Sequence, residues 1–526
     1  MRADLYWFAR CNSRVHGAHD TALRIVESIT LNYVTSVVVN RVTCRGTSPG
    51  TRESRRTALS AVPREGGVMI EPISRRRLLR SLAAGVPAVA AGGFRDVAVV
   101  HGQAARTSEL ERLRIDGGRL RSQIEALSAF GRPPGGDFSA GVSRVAYSDA
   151  DIAGRAYVMD RMREAGLSPR IDPAGNIFGR RKGLTPGLPI LFGSHIDSVP
   201  SGGNFDGDLG VLAAIEAVRT LNAHGIYTTH PLEVVVWAHE EGGTFPNGLN
   251  GSRAVAGRLI QGELEHSWNG LLKKDGIRRI GGDPDRIHEA RHERGWFHCY
   301  FELHIEQGPV LERDGVSIGV VEGIVAIARY RATIKGVANH AGTTAMADRQ
   351  DALVAASQLV LAVRDVVTAE PGRQVGTVGR IDVSPNAANV VPGSATLSIE
   401  LRDLSEATLT RLADAITLRA NAIARDNRTA IEIVPVGGYA GATADRDMQA
   451  IVSRAADVLN VASERLPSGA GHDAQMMAPL GPMGMIFTPS IAGISHSPEE
   501  RTSWEDCARG ADVLLQAILA ADHTTF

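Results

Sequence analysis

Pro189-Ile190-Leu191-Phe192-Gly193-Ser194-His195-Ile196-Asp197-Ser198 is a short apolar run that ends abruptly in ionisable and hydroxyl side chains. An apolar run of this length reads as a buried strand, and the amphipathic stretch from Gly210 to Leu221 reads as the helix that follows it. Leu232-Glu233-Val234-Val235-Val236-Trp237-Ala238 is a second such strand, and Tyr300-Phe301-Glu302-Leu303 and Met483-Gly484-Met485-Ile486-Phe487 are two more. Buried strands alternating with helices from about residue 106 onward predict an α/β fold with a central mixed sheet and flanking helices.

Between about 323 and 436 the texture changes. Tyr330, Ala332 and Ile334 alternate with Arg331 and Thr333, and Ala395, Leu397, Ile399 and Leu401 alternate with Thr396, Ser398, Glu400 and Arg402. Period-two strands have one wet face, so with helices expected near 351–367 and 405–424 this block reads as a smaller α+β domain inserted into the larger one. The expected division is an amino-terminal extension over 1–105, the larger domain over 106–322 and 437–526, and the insertion over 323–436.

The chain has 526 residues, 43% hydrophobic and 22% charged, enough for two or three domains at roughly 150 residues each. Its 57 Lys+Arg against 58 Asp+Glu leave a formal charge of −1, so nothing in the charge balance points to nucleic acid, and a small molecule is the expected partner. Cys11, Cys44, Cys299 and Cys507 form no CxxC pair and no disulfide framework, which leaves any metal to histidines and carboxylates. Ser74-Arg75-Arg76-Arg77-Leu78-Leu79 followed by the mildly apolar 82–91 resembles a twin-arginine export signal. Met69 is then the expected start, the mature chain begins near residue 106, and the destination is the periplasm or the outside. The alternative is a basic, unstructured tail. The apolar stretch is too short for a spanning helix, which needs about 20 residues, so no stable membrane insertion is expected.

Four segments combine a strand with ionisable residues at its carboxyl end, where open α/β sheets build their sites. In Gly193-Ser194-His195-Ile196-Asp197-Ser198, residues i and i+2 share a face, so Asp197 is expected to accept the second ring proton of His195. The Gly-rich turn Gly202-Gly203-Asn204-Phe205-Asp206-Gly207-Asp208 offers Asp206 or Asp208 as a ligand. In His239-Glu240-Glu241-Gly242-Gly243 the adjacent carboxylates face opposite ways, one for a metal and one for a substrate. Glu302-Leu303-His304-Ile305-Glu306-Gln307-Gly308-Pro309 and Ile494-Ser495-His496-Ser497-Pro498 complete the set.

These strings, with Ala338-Asn339-His340-Ala341-Gly342-Thr343-Thr344, resemble the family of N-carbamoyl-L-amino acid hydrolases, β-ureidopropionases and allantoate amidohydrolases, over about residues 115–520. The resemblance implies a hydrolase with two divalent metal ions per subunit, zinc first and Mn, Co or Ni as alternatives. It implies His195, Asp206 and His304 for one ion and Asp206, Glu241 and His496 for the other, with Glu240 as the proton shuttle; Asp197, the expected partner of His195, is counted with the catalytic residues. It further implies an insertion that acts as lid and homodimer surface, whose closure would bring His340 onto the oxyanion and Arg402, with Asn389, onto the substrate carboxylate. Gln307 would be a polar contact at the site, and Gly471 and His472 would line the pocket near the substrate's amino-acid end, the alternative being that their string is a structural Gly-rich turn. Arg402 also sits on the polar face of its strand, and a guanidinium suits a carboxylate.

Two positions depart from the family: His239 stands where Asn is usual and Thr244 where Arg is usual. The implied reaction releases ammonia, carbon dioxide and an amino acid; allantoate, N-carbamoyl-β-alanine, and then amides of the aminoacylase or dipeptidase kind are rival substrates. A non-catalytic solute-binding role is disfavoured because every ligand and Glu240 are present. His288-Glu289-Ala290-Arg291-His292 fits the HExxH zinc pattern, but its charged surroundings predict a solvated segment.

Overall fold

The structure is a computed structural model that describes residues 110–526; the leader, with its expected signal and cleavage point, lies outside the described residues. Ile190–His195 and Leu232–Trp237 are strands buried at every residue, as their unbroken apolar character requires. They pair in parallel, Ile190–His195 also runs parallel to Cys299–Ile305, and Cys299–Ile305 runs parallel to Met483–Thr488. Ser168–Ile171 and Ile177–Arg181 extend this four-strand centre antiparallel on one side, Ile318–Ile324 on the other, and the whole forms a nine-stranded mixed sheet. From Ile190–His195 the chain goes first to the neighbour on one side and later to the neighbour on the other. The carboxyl ends of Ile190–His195 and Cys299–Ile305 therefore flank a topological switch point, where such sheets open a crevice.

The helix Asp208–Ala223 is buried along nearly its whole length, against the sheet and the helix Trp504–Ala521. It lies so close to the sheet that a Cβ on Gly210 would stand 2.2 Å from the Leu303 carbonyl oxygen. What fixes the start of this helix relative to the strand before it is Arg144, only 1% exposed. Its Nε donates to the Ile196 carbonyl at 2.6 Å, one terminal nitrogen donates to the Leu127 and Phe130 carbonyls, and the other pairs with the Asp208 carboxylate.

The second sheet, ordered Val375–Ser384, Ser394–Asp403, Ala326–Lys335, Ala430–Tyr439, is wholly antiparallel, with helices Ala352–Ala369 and Glu406–Asp426 on one face. Ala332, Ile334, Ala395, Leu397, Ile399 and Leu401 point into its own core with Leu359, Val363, Leu412 and Ile416, the alternation expected of strands with one wet face. Ala352–Ala369 is long and apolar enough to cross a membrane by composition alone, but one face of it is built into this core. The chain passes between the sheets only at Val325, from Ile318–Ile324 into Ala326–Lys335, and at 440–441, from Ala430–Tyr439 into Ala442–Thr443. His288 and His292 share no α-helix: the 3-10 turn Pro284–Ala290 ends between them, and His292 stacks on Trp296 at 3.9 Å.

Removing the guanidinium would leave Asp208 charged and unpaired in the core. Arg144→Ala is expected to cost about 3–5 kcal/mol of unfolding free energy in urea titrations, whereas the apolar pair Arg144→Met with Asp208→Leu should recover most of it.

Candidate metal centre and substrate pocket

His195 is the last residue of its strand, and the chain turns there. Its Nδ1 meets the backbone carbonyl of Asp197 at 3.0 Å, while the Asp197 carboxylate stays 3.9 Å away. The expectation that the carboxylate takes the second ring proton is therefore corrected: the extended geometry behind it stops at His195. The two Asp197 oxygens instead accept from the backbone N–H of Glu240 and Glu241, both at 3.1 Å, so Asp197 orients the paired glutamates. His304 repeats the carbonyl pattern, its Nδ1 2.9 Å from the Ile305 carbonyl. A ring that donates from Nδ1 to a carbonyl offers the Nε2 lone pair to whatever faces it.

What faces both Nε2 atoms is Asp206. Its Oδ1 lies 3.3 Å from His195 Nε2 and 3.1 Å from His304 Nε2, and its Oδ2 lies 3.3 Å from His496 Nε2, which is 3.5 Å from Glu241 Oε1. Two groups result, His195–Asp206–His304 and Asp206–Glu241–His496, each with ligand atoms within 4.8 Å of one another and with Asp206 shared. Asp208, the other acid of the turn, faces away onto Arg144. Gly207, at φ 68°, lets the turn pass under the His195 ring, where a Cβ would stand 2.6 Å from the imidazole.

The charges in this cluster depend on one another. Burial works against ionised Asp206, yet His304, His195 and His496 hold its carboxyl well below the usual range. Burial likewise opposes a charged His195, and Glu240, Asp206 and Asp197 outweigh it, while the hydrogen bond to Asp206 lifts His496 to about 9. Burial, reinforced by neighbouring carboxylates, pushes Glu240 well up and Glu241 to about 8. A site that stabilises positive charge on three imidazoles also suits cations. His304 Nε2 and Glu241 Oε1 are buried without a well-directed hydrogen bond, as ligand atoms would be. The donor set fits a divalent ion of the zinc or manganese kind.

The cluster forms one end of a cavity of about 530 Å³ lined also by Glu240, Gln307, Arg402, Gly471 and His472. Gln307 Nε2 donates to Asp206 Oδ2 at 2.7 Å. His472 is buried and bonded to Ser468 Oγ at 2.8 Å, and burial together with the charge of His304 holds its pKa well below the ordinary value. Arg402 reaches the cavity from the second sheet, its Nε on Glu400 at 2.8 Å and a terminal nitrogen on the Gly469 carbonyl at 2.7 Å.

His340 and Asn389 are elsewhere. They meet in one exposed tip, where Asn339–His340 pairs with Val390–Val391 and Ala341 N–H donates to the Asn389 carbonyl. That tip lies beyond Lys335 and Ser394, and Ser394 is eight residues from Arg402 on the same strand, roughly 27 Å of sheet. One closing motion of a rigid sheet cannot bring both His340 and Arg402 onto one substrate, and the expectation that it does is corrected. His340 Nδ1 accepts from the N–H groups of Gly342 and Thr343, which leaves the neutral ring with its proton on Nε2, facing out.

Of the departures from the family pattern, His239 is buried and Thr244 half-buried, both with side-chain atoms that lack partners among the described residues; His239 packs between Tyr147 and Phe245. Glu500 was not legible in the sequence. It is fully buried, its Oε1 accepts from the N–H of Phe205 and Asp206, and its Oε2 accepts from Ser495 Oγ. It thus holds the Asp206 turn beside His496; only its nearness to His496 in the chain could have hinted at this.

Residues 191–520 match the model of peptidase family M20/M25/M40. The chain is 40% identical to the N-carbamoyl-L-amino acid amidohydrolase of Geobacillus stearothermophilus, over 77% of this chain and 98% of that one. It is 38% identical to the ureidoglycolate hydrolase of Arabidopsis thaliana, over 76% and 86%. The crystal structure of an amidase of the hydantoinase/carbamoylase family from Burkholderia multivorans superposes with a TM-score of 0.73 at 35% identity, over 79% of this chain and all of that one.

Because Glu500 acts on the metal group through the Asp206 turn, Glu500→Gln should weaken retention of divalent metal about 10–100-fold with the fold intact. Competition with a chromogenic chelator, read beside circular dichroism, checks this.

Proposed function

The chain belongs to peptidase family M20/M25/M40, a family of metal-dependent hydrolases, and on that premise we propose that it hydrolyses the ureido group of an N-carbamoyl-L-amino acid, releasing ammonia, carbon dioxide and the amino acid. The observation that carries this reading is the pairing, in one pocket, of a two-lobed His/carboxylate cluster with an arginine suited to a carboxylate. The relatives named for N-carbamoyl amino acids and for ureidoglycolate share those two features of a substrate, a ureido group and a carboxylate.

His195, Asp206 and His304 would hold one divalent ion and Asp206, Glu241 and His496 a second, with zinc the first choice. Bound there, the ions would polarise the ureido carbonyl and acidify a water. Glu240 faces the cavity with its Oε2 3.8 Å from His195 Nε2 and its backbone fixed by Asp197. It takes a proton from the attacking water and delivers it to the leaving nitrogen. Burial already raises its pKa, as a carboxylate that must accept a proton near neutrality requires. Arg402 receives the substrate carboxylate, Gln307 braces Asp206, and Gly471 with His472 line the substrate's path.

His340 and Asn389 face away from this pocket, so we assign them to the pocket of a second copy in a homodimer, with the Nε2–H of His340 on the oxyanion. Export through a twin-arginine signal, to the periplasm or beyond, is the accompanying proposal for the leader.

Metal-replete protein begun near residue 106 should release ammonia from N-carbamoyl-L-amino acids in preference to N-carbamoyl-β-alanine, allantoate and N-acetyl amino acids. Free amino acid from the N-acetyl compounds alone would replace the ureido reading with an aminoacylase. Separately, Glu240→Gln should keep its metal and its thermal unfolding midpoint while losing turnover by several orders of magnitude; activity near that of the unaltered protein would remove Glu240 from the proton transfer.

A further inference from the structure

Three arginines line the cavity, and they are not equivalent. Arg253 is buried and held by both oxygens of Glu263, at 2.9 and 3.2 Å, and Arg402 is held by Glu400. Arg258 makes no ion pair among the described residues and is exposed into the cavity. The acids of the cavity face the histidines, Asp206 and Glu241 within the metal cluster and Glu240 beside His195, so Arg258 is the cation there without a counter-charge of its own.

Its backbone is held firmly. Arg253 donates to the Arg258 carbonyl at 3.0 Å, Arg258 N–H donates back to the Arg253 carbonyl at 2.8 Å, and Ile260 N–H donates to Glu263 Oε1 at 2.9 Å. The buried Arg253–Glu263 pair therefore pins the arch between the helix Asn250–Val255 and the turn Glu263–Glu265, and the arch presents Arg258 and Ile260 to the pocket. The walls around them, Leu249, Ile327, Tyr439 and Met476, are largely apolar. A guanidinium on a pinned backbone beside a low-dielectric wall attracts an anion more strongly than a free surface charge does, and its fork matches a carboxylate.

We infer that Arg258 is a specificity residue that selects N-carbamoyl-L-amino acids whose side chain itself ends in a carboxylate, of the aspartate or glutamate kind. The inference rests on the ureido-hydrolase reading above: Arg402 takes the α-carboxylate, and Arg258 takes the second one.

The test compares kcat/KM for N-carbamoyl-L-glutamate with that for its neutral isostere N-carbamoyl-L-glutamine, by ammonia release. The unaltered protein should favour the glutamate compound. Arg258→Ala should cut the glutamate-to-glutamine ratio about 10-fold or more, Arg258→Lys should restore part of it, and Arg258→Glu should invert it and favour N-carbamoyl-L-arginine. A ratio unchanged across the variants makes Arg258 a solvated rim charge and overturns the inference while leaving the ureido reading intact. No ammonia from these three substrates, with ammonia from apolar N-carbamoyl-L-amino acids, overturns the inference alone; no ammonia from any N-carbamoyl-L-amino acid overturns both.

Discussion

The site depends on one buried guanidinium. Between the strand that ends at His195 and the helix that begins at Asp208 the chain must leave the sheet, form the Asp206 turn and come back under the same imidazole. Arg144 grips both ends of that excursion, the Ile196 carbonyl on the way out and Asp208 on the way in, and ties them to the carbonyls that close the helix Gly117–Leu127. Burial would push Asp208 up to about 6 even beside this partner, so the pairing is one the fold maintains against desolvation. Glu500 does the complementary work from the other side, on the amides of Phe205 and Asp206.

Much of this could be read along the chain. The four central strands and the helix after the first are visible because full burial leaves apolar runs, and the second sheet because one wet face leaves alternation. The residues of the metal cluster are legible because each sits at the carboxyl end of a strand or in the loop beyond one. What local spacing does not carry is orientation beyond a strand's last residue. Asp197 shares a face with His195 only while the chain stays extended, and it does not. Asp206 and Asp208 are equivalent in composition, and only Arg144, more than 60 residues away, separates them. Arg253, Arg258 and Glu500 act through partners that no short motif brings together. The His340 tip shows the same limit: the motif marks the residue but not which pocket it faces.

Three corners of the site use backbone that side chains seldom adopt. His239 at φ 52°, Gln307 at 59° and His496 at 55° all lie in the left-handed region, each just past a strand or in the loop that follows one. Such conformations cost of order 1 kcal/mol or more and persist where surrounding contacts over-determine them. Here those contacts are visible: the N–H of Gln307 on Ser490, the amides after His239 on Asp197, and the Ser495–Glu500 bond beside His496. Two of these bends bring Gln307 and His496 onto Asp206, and the third precedes the paired glutamates that line the cavity.

The two sheets have separate cores, two short chain crossings and a few polar contacts, such as Arg402 on the Gly469 carbonyl and Arg373 on that of Arg465. Val325 and Ala440, one at each crossing, are themselves part of the cavity wall. A molecule that touches both walls adds contacts between two cores that otherwise share few, so a well-held substrate is expected to couple their unfolding as well as to oppose it.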